Sequence, residues 1–350
     1  GAWCEYLFYP PALVPNPLEG LFGGQRDKRR ERYESLLDRL DEALGEAHGR
    51  TGRPFLLGTE HPTFIDLQFV THVERMEASV VYWKGIKMRG AGRTNLDRWL
   101  EAFEGRESYR ATKSDFYTHV MDIPPQYGEA FVDLKNPKAR EAVDFIGGGS
   151  WNYPKDTTDA LGNDRKEPIS RKRMQGASWQ IPVPNGSPDC WEPIREPFQV
   201  SEEAARHEAA FEITRNYEGI VKFMCRANGD RGELRYSAPL ADPFALAEPG
   251  DREDADMLLR MTTLGLLSGS LPTFDPEGIP EERRVELGKC VKYLRDRIGV
   301  PRDMSFPAAQ HLRGYLNHLV RLLVPRDFDE KPSKADLYGL FGRVKGDDEE

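Results

Sequence analysis

The chain has 350 residues and a formal net charge of −9, with 31% charged and 39% hydrophobic residues. These values argue against nucleic acid as the main partner, because phosphate binding needs a basic surface. The length suffices for one large or two smaller domains. No apolar run approaches the roughly 18 residues that a membrane-spanning helix needs. The four cysteines lie far apart and form no CxxC motif, which favours free thiols.

The first predicted elements are an N-terminal arm and a long helix. Residues 1–28 are predicted to form an extended arm. From Arg29 onward, apolar residues recur at the i, i+3, i+4, i+7 spacing of an amphipathic helix, which ends at the sequence Gly52-Arg53-Pro54. The apolar positions of this helix are Tyr33, Leu36, Leu37, Leu40, Leu44 and Ala47.

A capping box is predicted at Thr63 and Asp66, in front of the next apolar run. In such a box the hydroxyl accepts from a free backbone N–H, and the carboxylate accepts from the N–H of the capping residue. The apolar residues behind it cover more than one helix face, so we expect a central helix that other helices enclose. They are Ile65, Leu67, Phe69, Val70, Val73, Met76, Val80, Val81 and Trp83.

Two further helices complete the first predicted domain, residues 29–122. One is capped by Thr94 or Asn95, and the other spans about residues 107–121. No segment alternates with a period of two, so this domain is predicted to be all-α. The inward-facing residues are Leu96, Trp99, Leu100, Phe103, Tyr109, Phe116, Tyr117 and Val120.

Residues 123–200 change character and contain ten of the 26 prolines. A long irregular segment with this many aromatic residues is predicted to pack across its own protein or a partner, and we call it the strap. The acidic end of the sequence, residues 331–350, is predicted to dock onto a surface and is called the tail. The candidate partner contacts are Trp151, Tyr153, Trp179, Trp191, Leu337, Tyr338 and Phe341.

A second helical domain is predicted for residues 201–330. Helical periodicity returns there, with helices that begin near Ser201, Asp251, Pro280 and Pro307. The predicted fold class is therefore all-α, with a helical bundle, a strap and a second helical region.

The first domain resembles the C-terminal, all-helical domain of glutathione transferases. The residues that carry the resemblance are "SLLDRLDEAL", "FLLG", "TFID" and "LDRWLEAFEGRESY", in this order. In that family the box at Thr63 and Asp66 caps the central helix. The family binds glutathione with a thioredoxin-like domain, and the 28 residues before Arg29 are too few for that domain. No catalytic residue of the family is therefore carried over to this chain.

Two later stretches resemble glutathione-transferase-like proteins from the plastids of algae and plants. They are "KSDFYTHVMDIPPQYG" and "YLRDRIGVPRDMSFPAAQHLRGYLN". This resemblance implies a chloroplast protein on the stromal side, at or near the thylakoid, with photosystem or antenna subunits as partners. It implies no cofactor of the chain's own, although chlorophyll or carotenoid could contact the chain at an interface.

The residues offer little catalytic chemistry. Cys4 has an acidic neighbour, which is the wrong sign for a reactive thiolate. Cys225 and Cys290 fall on apolar helix faces and are predicted to pack in the core. His311 and His318 are seven residues apart on one helix, whereas metal-ligand pairs usually lie four apart, so we predict neither a catalytic residue nor a metal site.

Two functions remain open. The first is a non-catalytic scaffold or linker in a plastid assembly, joining a photosystem to its light-harvesting antenna. The second is a glutathione-dependent transferase or ligand carrier whose thioredoxin-like half is missing from this sequence.

Overall fold

The computed structural model describes residues 1–9, 27–127, 130, 136, 138–139, 201–229 and 246–324. The chain divides into two compact units, residues 1–120 with 129–147 and residues 121–128 with 148–350. Apart from an isolated bridge residue at Asp27, the regular secondary structure of the described residues is helical. The predicted all-α fold class is confirmed.

The described residues of the first unit form six helices. The last of them continues into the residues of the second unit. Each is named here in chain order. They are α1 (Ala2–Phe8), α2 (Lys28–Thr51), α3 (Phe64–Lys84), α4 (Thr94–Glu104), α5 (Glu107–Thr112) and α6 (Phe116–Tyr127).

Helix α1 corrects the prediction of an extended arm over residues 1–28. Trp3, Tyr6 and Leu7 lie on one side of a short helix and are buried. The Trp3 indole donates to the Ser79 hydroxyl at 3.0 Å, and Tyr6 stacks on Tyr33 with ring centroids 5.5 Å apart. Two turns of helix form because this packing supplies the stability that so short a helix lacks by itself. Residues 10–26 of the predicted arm lie outside the described residues.

Local signals set the ends of α2 and α3. The Asp27 carboxylate accepts from the Arg29 N–H at 2.9 Å and caps the start of α2. Gly52 and Gly85 end α2 and α3 with φ of 71° and 63°, the left-handed conformation that glycine adopts without a Cβ clash.

Helix α4 is capped by a residue that the local pattern did not indicate. Its own N-terminal residues provide no side-chain cap. Instead, the Asp41 carboxylate on α2 accepts from the backbone N–H groups of Asn95 and Leu96, at 2.9 and 2.8 Å. The cap is therefore a tertiary contact that also fixes α4 against α2.

Helix α6 runs five residues past the predicted domain boundary at residue 122. Val120 and Ile123 are both fully buried, so the apolar face of the helix continues into the predicted strap. The rest of the strap lies outside the described residues, except for residues 130, 136 and 138–139.

Among the residues that the structure describes, the second unit contains five further helices. Ser201 and Ser305 cap the first and the last of them by accepting from backbone N–H groups. The last helix is the most enclosed of the five, with fifteen buried residues. The helices are α7 (Glu202–Arg215), α8 (Tyr217–Met224), α9 (Arg252–Ser268), α10 (Glu281–Arg295) and α11 (Phe306–Leu323).

Candidate interaction surfaces

The predicted box forms at the start of α3. Asp66 is fully buried, and its carboxylate accepts from the Thr63 N–H at 2.8 Å and from the Thr63 hydroxyl at 2.7 Å. It also accepts from the Leu56 N–H at 2.9 Å and from the Trp99 indole at 3.0 Å. Burial opposes ionisation, but these hydrogen bonds outweigh it and lower the pKa of Asp66. The carboxylate joins α3, the preceding link and α4, which is a structural role.

The N-terminal half of α3 departs from the expected central helix. Asp66, Val70 and Val73 face inward, but four apolar residues of this half face solvent. Leu57, in the link before the helix, is exposed as well. The prediction of an enclosed helix is therefore wrong for this half and correct for the half that ends at Lys84. We call the exposed residues the α3 patch. They are Leu57 (63% exposed), Phe64 (76%), Ile65 (40%), Leu67 (51%) and Phe69 (43%).

The second unit has an apolar surface of its own on α7 and α9. The Arg206 guanidinium donates to the Leu266 carbonyl at 2.9 Å, and the Tyr217 hydroxyl donates to the Asp256 carbonyl at 2.9 Å. The first contact joins α7 to the C-terminal end of α9, and the second joins α8 to the N-terminal part of α9. The spacing of seven and three residues places the apolar residues of α9 on one face. The α9 patch consists of Met257 (39% exposed), Leu264 (66%) and Leu267 (50%), with Phe211 (60%) on α7.

Both patches consist of large apolar side chains that meet solvent in clusters. Single exposed apolar residues are normal, whereas contiguous groups mark surfaces for other molecules. The sequence did contain a signal for the α3 patch, because the apolar residues of α3 cover more faces than one helix buries against its own unit. We therefore treat the two patches as candidate interaction surfaces.

The described cysteines differ in their surroundings. Cys4 is partly exposed at the N-terminal helix, whereas Cys225 and Cys290 are buried in the core of the second unit. Burial and the neighbouring Asp251 charge raise the pKa of both buried thiols. The Cys290 thiol donates to the Asp251 carboxylate at 3.4 Å. Both buried thiols therefore stay protonated near neutral pH and are unsuited to nucleophilic attack.

The two histidines of α11 do not form a ligand pair. His311 is fully enclosed, and burial together with the Arg206 charge lowers its pKa to about 3. His318 lies 3.0 Å from the Pro272 carbonyl through Nε2, and burial lowers its pKa as well. Within the described ranges, no group of three or more His, Cys, Asp or Glu side chains is placed to hold a metal ion.

An ionic cluster joins the starts of α9 and α10. The Arg283 guanidinium pairs with Asp251, with Asp254 at 2.6 Å and with Glu286 at 3.0 Å. Asp251 is buried and also accepts from the Asn228 amide at 2.8 Å. Asp254 is therefore part of an ionic clamp between the two helices.

The partner contacts proposed from the sequence cannot be placed in this structure. Trp151, Tyr153, Trp179 and Trp191 of the strap lie outside the described residues, as do Leu337, Tyr338 and Phe341 of the tail. They stay predictions. No helix within the described part of the chain is long and apolar enough to cross a membrane.

Comparison with known proteins identifies two relationships for this chain. Residues 24–102 match the model of the family described as the glutathione S-transferase, C-terminal domain. The chain is also 31% identical over 137 residues to the R-phycoerythrin alpha chains of Pyropia tenera and Pyropia haitanensis. It is 30% identical to the R-phycoerythrin alpha chain of Aglaothamnion neglectum over the same length.

The alignment with the phycoerythrin chains covers 34% of this chain and 79% of each relative. It therefore includes most of the relatives' length but only a third of this protein. The glutathione S-transferase match lies within the first unit. The chain belongs to the family of the R-phycoerythrin alpha chains, and it also contains a glutathione S-transferase C-terminal-like domain.

Proposed function

We propose that this chain is a non-catalytic scaffold of a plastid light-harvesting assembly, which joins antenna protein to a second component such as a photosystem. The observation that carries the proposal is the combination of two relationships in one chain. The same chain is related to phycoerythrin alpha chains and contains a domain that resembles the C-terminal domain of glutathione S-transferases.

The two exposed patches support this proposal physically. Covering apolar surface contributes roughly 25 cal/mol for each Å² removed from water, so each patch favours a bound partner. The α3 patch belongs to the first unit and the α9 patch to the second. A chain with one apolar surface in each unit can bind two partners at the same time. Such linkage raises the effective concentration of each partner for the other.

The chemistry of the second unit also supports a scaffold. Its buried thiols, Cys225 and Cys290, have raised pKa values and serve packing. In the first unit, the Asp66 carboxylate accepts four hydrogen bonds from the fold itself, so it has a structural task. These residues hold the patches in place.

A binding experiment with patch variants tests the proposal. Immobilised R-phycoerythrin should bind the purified chain, and Leu264→Ser with Leu267→Ser should weaken that binding at least about tenfold, as loss of a central interface contact does. Phe64→Ser with Leu67→Ser should retain R-phycoerythrin binding but lose retention on photosystem-containing thylakoid membranes. Val285→Ser, which changes another exposed apolar residue on α10, is the matched control.

The outcomes separate the two surfaces. Equal binding of all variants to both partners would contradict the assignment of the patches. Absence of binding by the wild-type chain to R-phycoerythrin and to the membranes would overturn the scaffold proposal itself.

The alternative function is a glutathione-dependent transferase or ligand carrier, and the match to a glutathione S-transferase domain is the observation that favours it. Under our proposal, the purified chain should not conjugate glutathione to a chromogenic electrophile. Turnover that Cys4→Ser abolishes would replace the scaffold with an enzyme whose nucleophile is Cys4.

The setting of the scaffold is part of the same proposal. We place it in the chloroplast, on the stromal side, attached to thylakoids through its partners. The chain would carry no cofactor of its own, while chlorophyll or carotenoid of a partner could contact it. Fractionation of intact plastids should recover the chain with thylakoids and release it when the α3 patch is changed. Recovery in the soluble stroma at all times would contradict this placement.

A further inference from the structure

A basic groove lies between α1 and the first three turns of α2. It consists of two adjoining hollows of about 530 and 580 Å³, which share Glu5, Lys28 and Arg32 in their walls. The groove is separate from the α3 patch, since none of the residues of that patch lines it. We call it the α1–α2 groove.

The charge of the groove is opposite to that of the whole chain. Four cationic side chains line it against two carboxylates, Glu5 and Glu31, while the chain carries −9. Among the described residues, the side chains of Lys28 and Arg39 have no hydrogen-bond or ion-pair partner. An anionic ligand would therefore displace no carboxylate of the described residues from these two cations. The cationic residues are Lys28, Arg29, Arg32 and Arg39.

The groove also has an apolar component and fixed side chains. The Arg29 guanidinium lies 5.3 Å from the centre of the Tyr9 ring, and Tyr9 is 54% exposed. The Arg32 guanidinium pairs with Glu5 at 2.7 Å, which ties α2 to α1 at this point. Leu36 adds exposed apolar surface further along α2. The cations thus stand on a framework of two packed helices.

The spacing of the cations matches a short extended peptide. Lys28, Arg32 and Arg39 lie at positions i, i+4 and i+11, on one face of α2. Eleven residues of helix measure about 16 Å. An extended peptide covers that distance with about five residues. A concave groove of this size fits a narrow chain better than it fits the flat surface of a membrane.

We propose that the α1–α2 groove binds the acidic run Gly346–Glu350 of a second copy of this chain. A run of four consecutive carboxylates such as Asp347 to Glu350 occurs nowhere else in the sequence. The charge of this run complements the groove. The segment that joins α1 to α2, residues 10–26, carries one carboxylate and one arginine and so cannot neutralise the groove. The contact pairs two different surfaces, so it links copies head to tail.

Sedimentation of the full chain tests the proposal. The weight-average mass should rise with protein concentration at low ionic strength and fall as salt is added, because exposed charge pairs are screened. Arg32→Gln with Arg39→Gln should weaken self-association about tenfold, the scale expected for two exposed ion pairs. Neutralising the run with Asp347→Asn, Asp348→Asn, Glu349→Gln and Glu350→Gln should have the same effect. Arg30→Gln is the control, because Arg30 pairs with Glu34 and does not line the groove.

A peptide experiment separates the occupants. A fluorescent peptide of residues 341–350 is added to the full chain with the neutralised run, and binding that Arg32→Gln with Arg39→Gln weakens is the expected result. Peptide binding without self-association of the wild-type chain would overturn the second copy as the occupant. Binding of anionic lipid vesicles in place of the peptide would overturn a peptide site. Self-association that salt and the groove variants leave unchanged would assign it to an apolar patch.

Discussion

The two units differ in how completely they bury their central helix. In the first unit, α3 buries its C-terminal half but leaves Phe64 and Leu67 in solvent. In the second unit, α11 is enclosed over nearly its whole length, including polar residues. The first unit therefore leaves part of the apolar surface of its central helix exposed, whereas the central helix of the second unit is enclosed.

Two buried guanidinium groups of the second unit have partners within that unit. The Arg313 guanidinium donates to the Ile298 carbonyl at 2.7 Å, and the Arg295 guanidinium donates to the Asn317 side-chain oxygen at 2.7 Å. Buried polar groups are tolerated when they are hydrogen-bonded. The comparison teaches that the second unit encloses its central helix, while the exposed part of α3 is suited to a partner.

The largest effect is expected at the clamp of the second unit. Arg283→Ala removes the cation beside buried Asp251 and should lower the free energy of unfolding by about 3–5 kcal/mol, the cost of stranding a buried charge. Arg260→Ala, in an exposed pair with Asp256, should leave the free energy of unfolding nearly unchanged. Urea unfolding followed by circular dichroism measures both. Equal effects of the two changes would show that the clamp does not hold the core together.

A matched pair of leucines tests the contrast between the helices directly. Leu316→Ala in α11 should destabilise its unit by about 2–5 kcal/mol, because the residue is fully buried. Leu67→Ala in α3 should change stability by less than about 0.5 kcal/mol, since its side chain already lies in solvent. Thermal unfolding of the two variants compares them. A large loss at Leu67 would mean that the α3 patch is covered within the isolated chain.

The capping carboxylate should have a smaller, pH-dependent effect. Asp66→Asn should cost about 1–3 kcal/mol at neutral pH, because the amide cannot accept the same hydrogen bonds without strain. The pKa of Asp66 is lowered in the folded state, so its stabilisation is present above the unfolded pKa and is lost as pH falls through the folded value. Acid titration of stability should be shallower in the variant. Asp97→Asn, at an exposed cap of Gly90, is the control.

The sequence predicted well those features that depend on neighbours in the chain. The box at Thr63 and Asp66 and the start of a helix near Ser201 were predicted from local patterns, and the structure has both. Features that depend on distant contacts were not predictable. Asp41 caps α4 across more than fifty residues, and α1 forms because Trp3 reaches Ser79.

The exposure of the two patches also depends on distant contacts and was not predicted from the sequence. The sequence states that Phe64 and Leu264 are apolar, but not whether another helix covers them. Covering depends on the complete set of packed elements, so the α3 helix was expected to be enclosed. The aromatic residues of the strap, in contrast, were chosen as contacts from composition alone and stay untested.

The buried His311 makes the stability of the second unit depend on pH. Its pKa is lowered to about 3 by burial and by Arg206, whereas an unfolded chain takes up the proton near the ordinary value of about 6.5. Between these two values the unfolded state binds more protons, so stability rises with pH and acid favours unfolding. The second unit should therefore be more stable at neutral pH than in mild acid. Unfolding temperatures at pH 5 and 7.5 should therefore differ less in His311→Leu than in the unchanged chain.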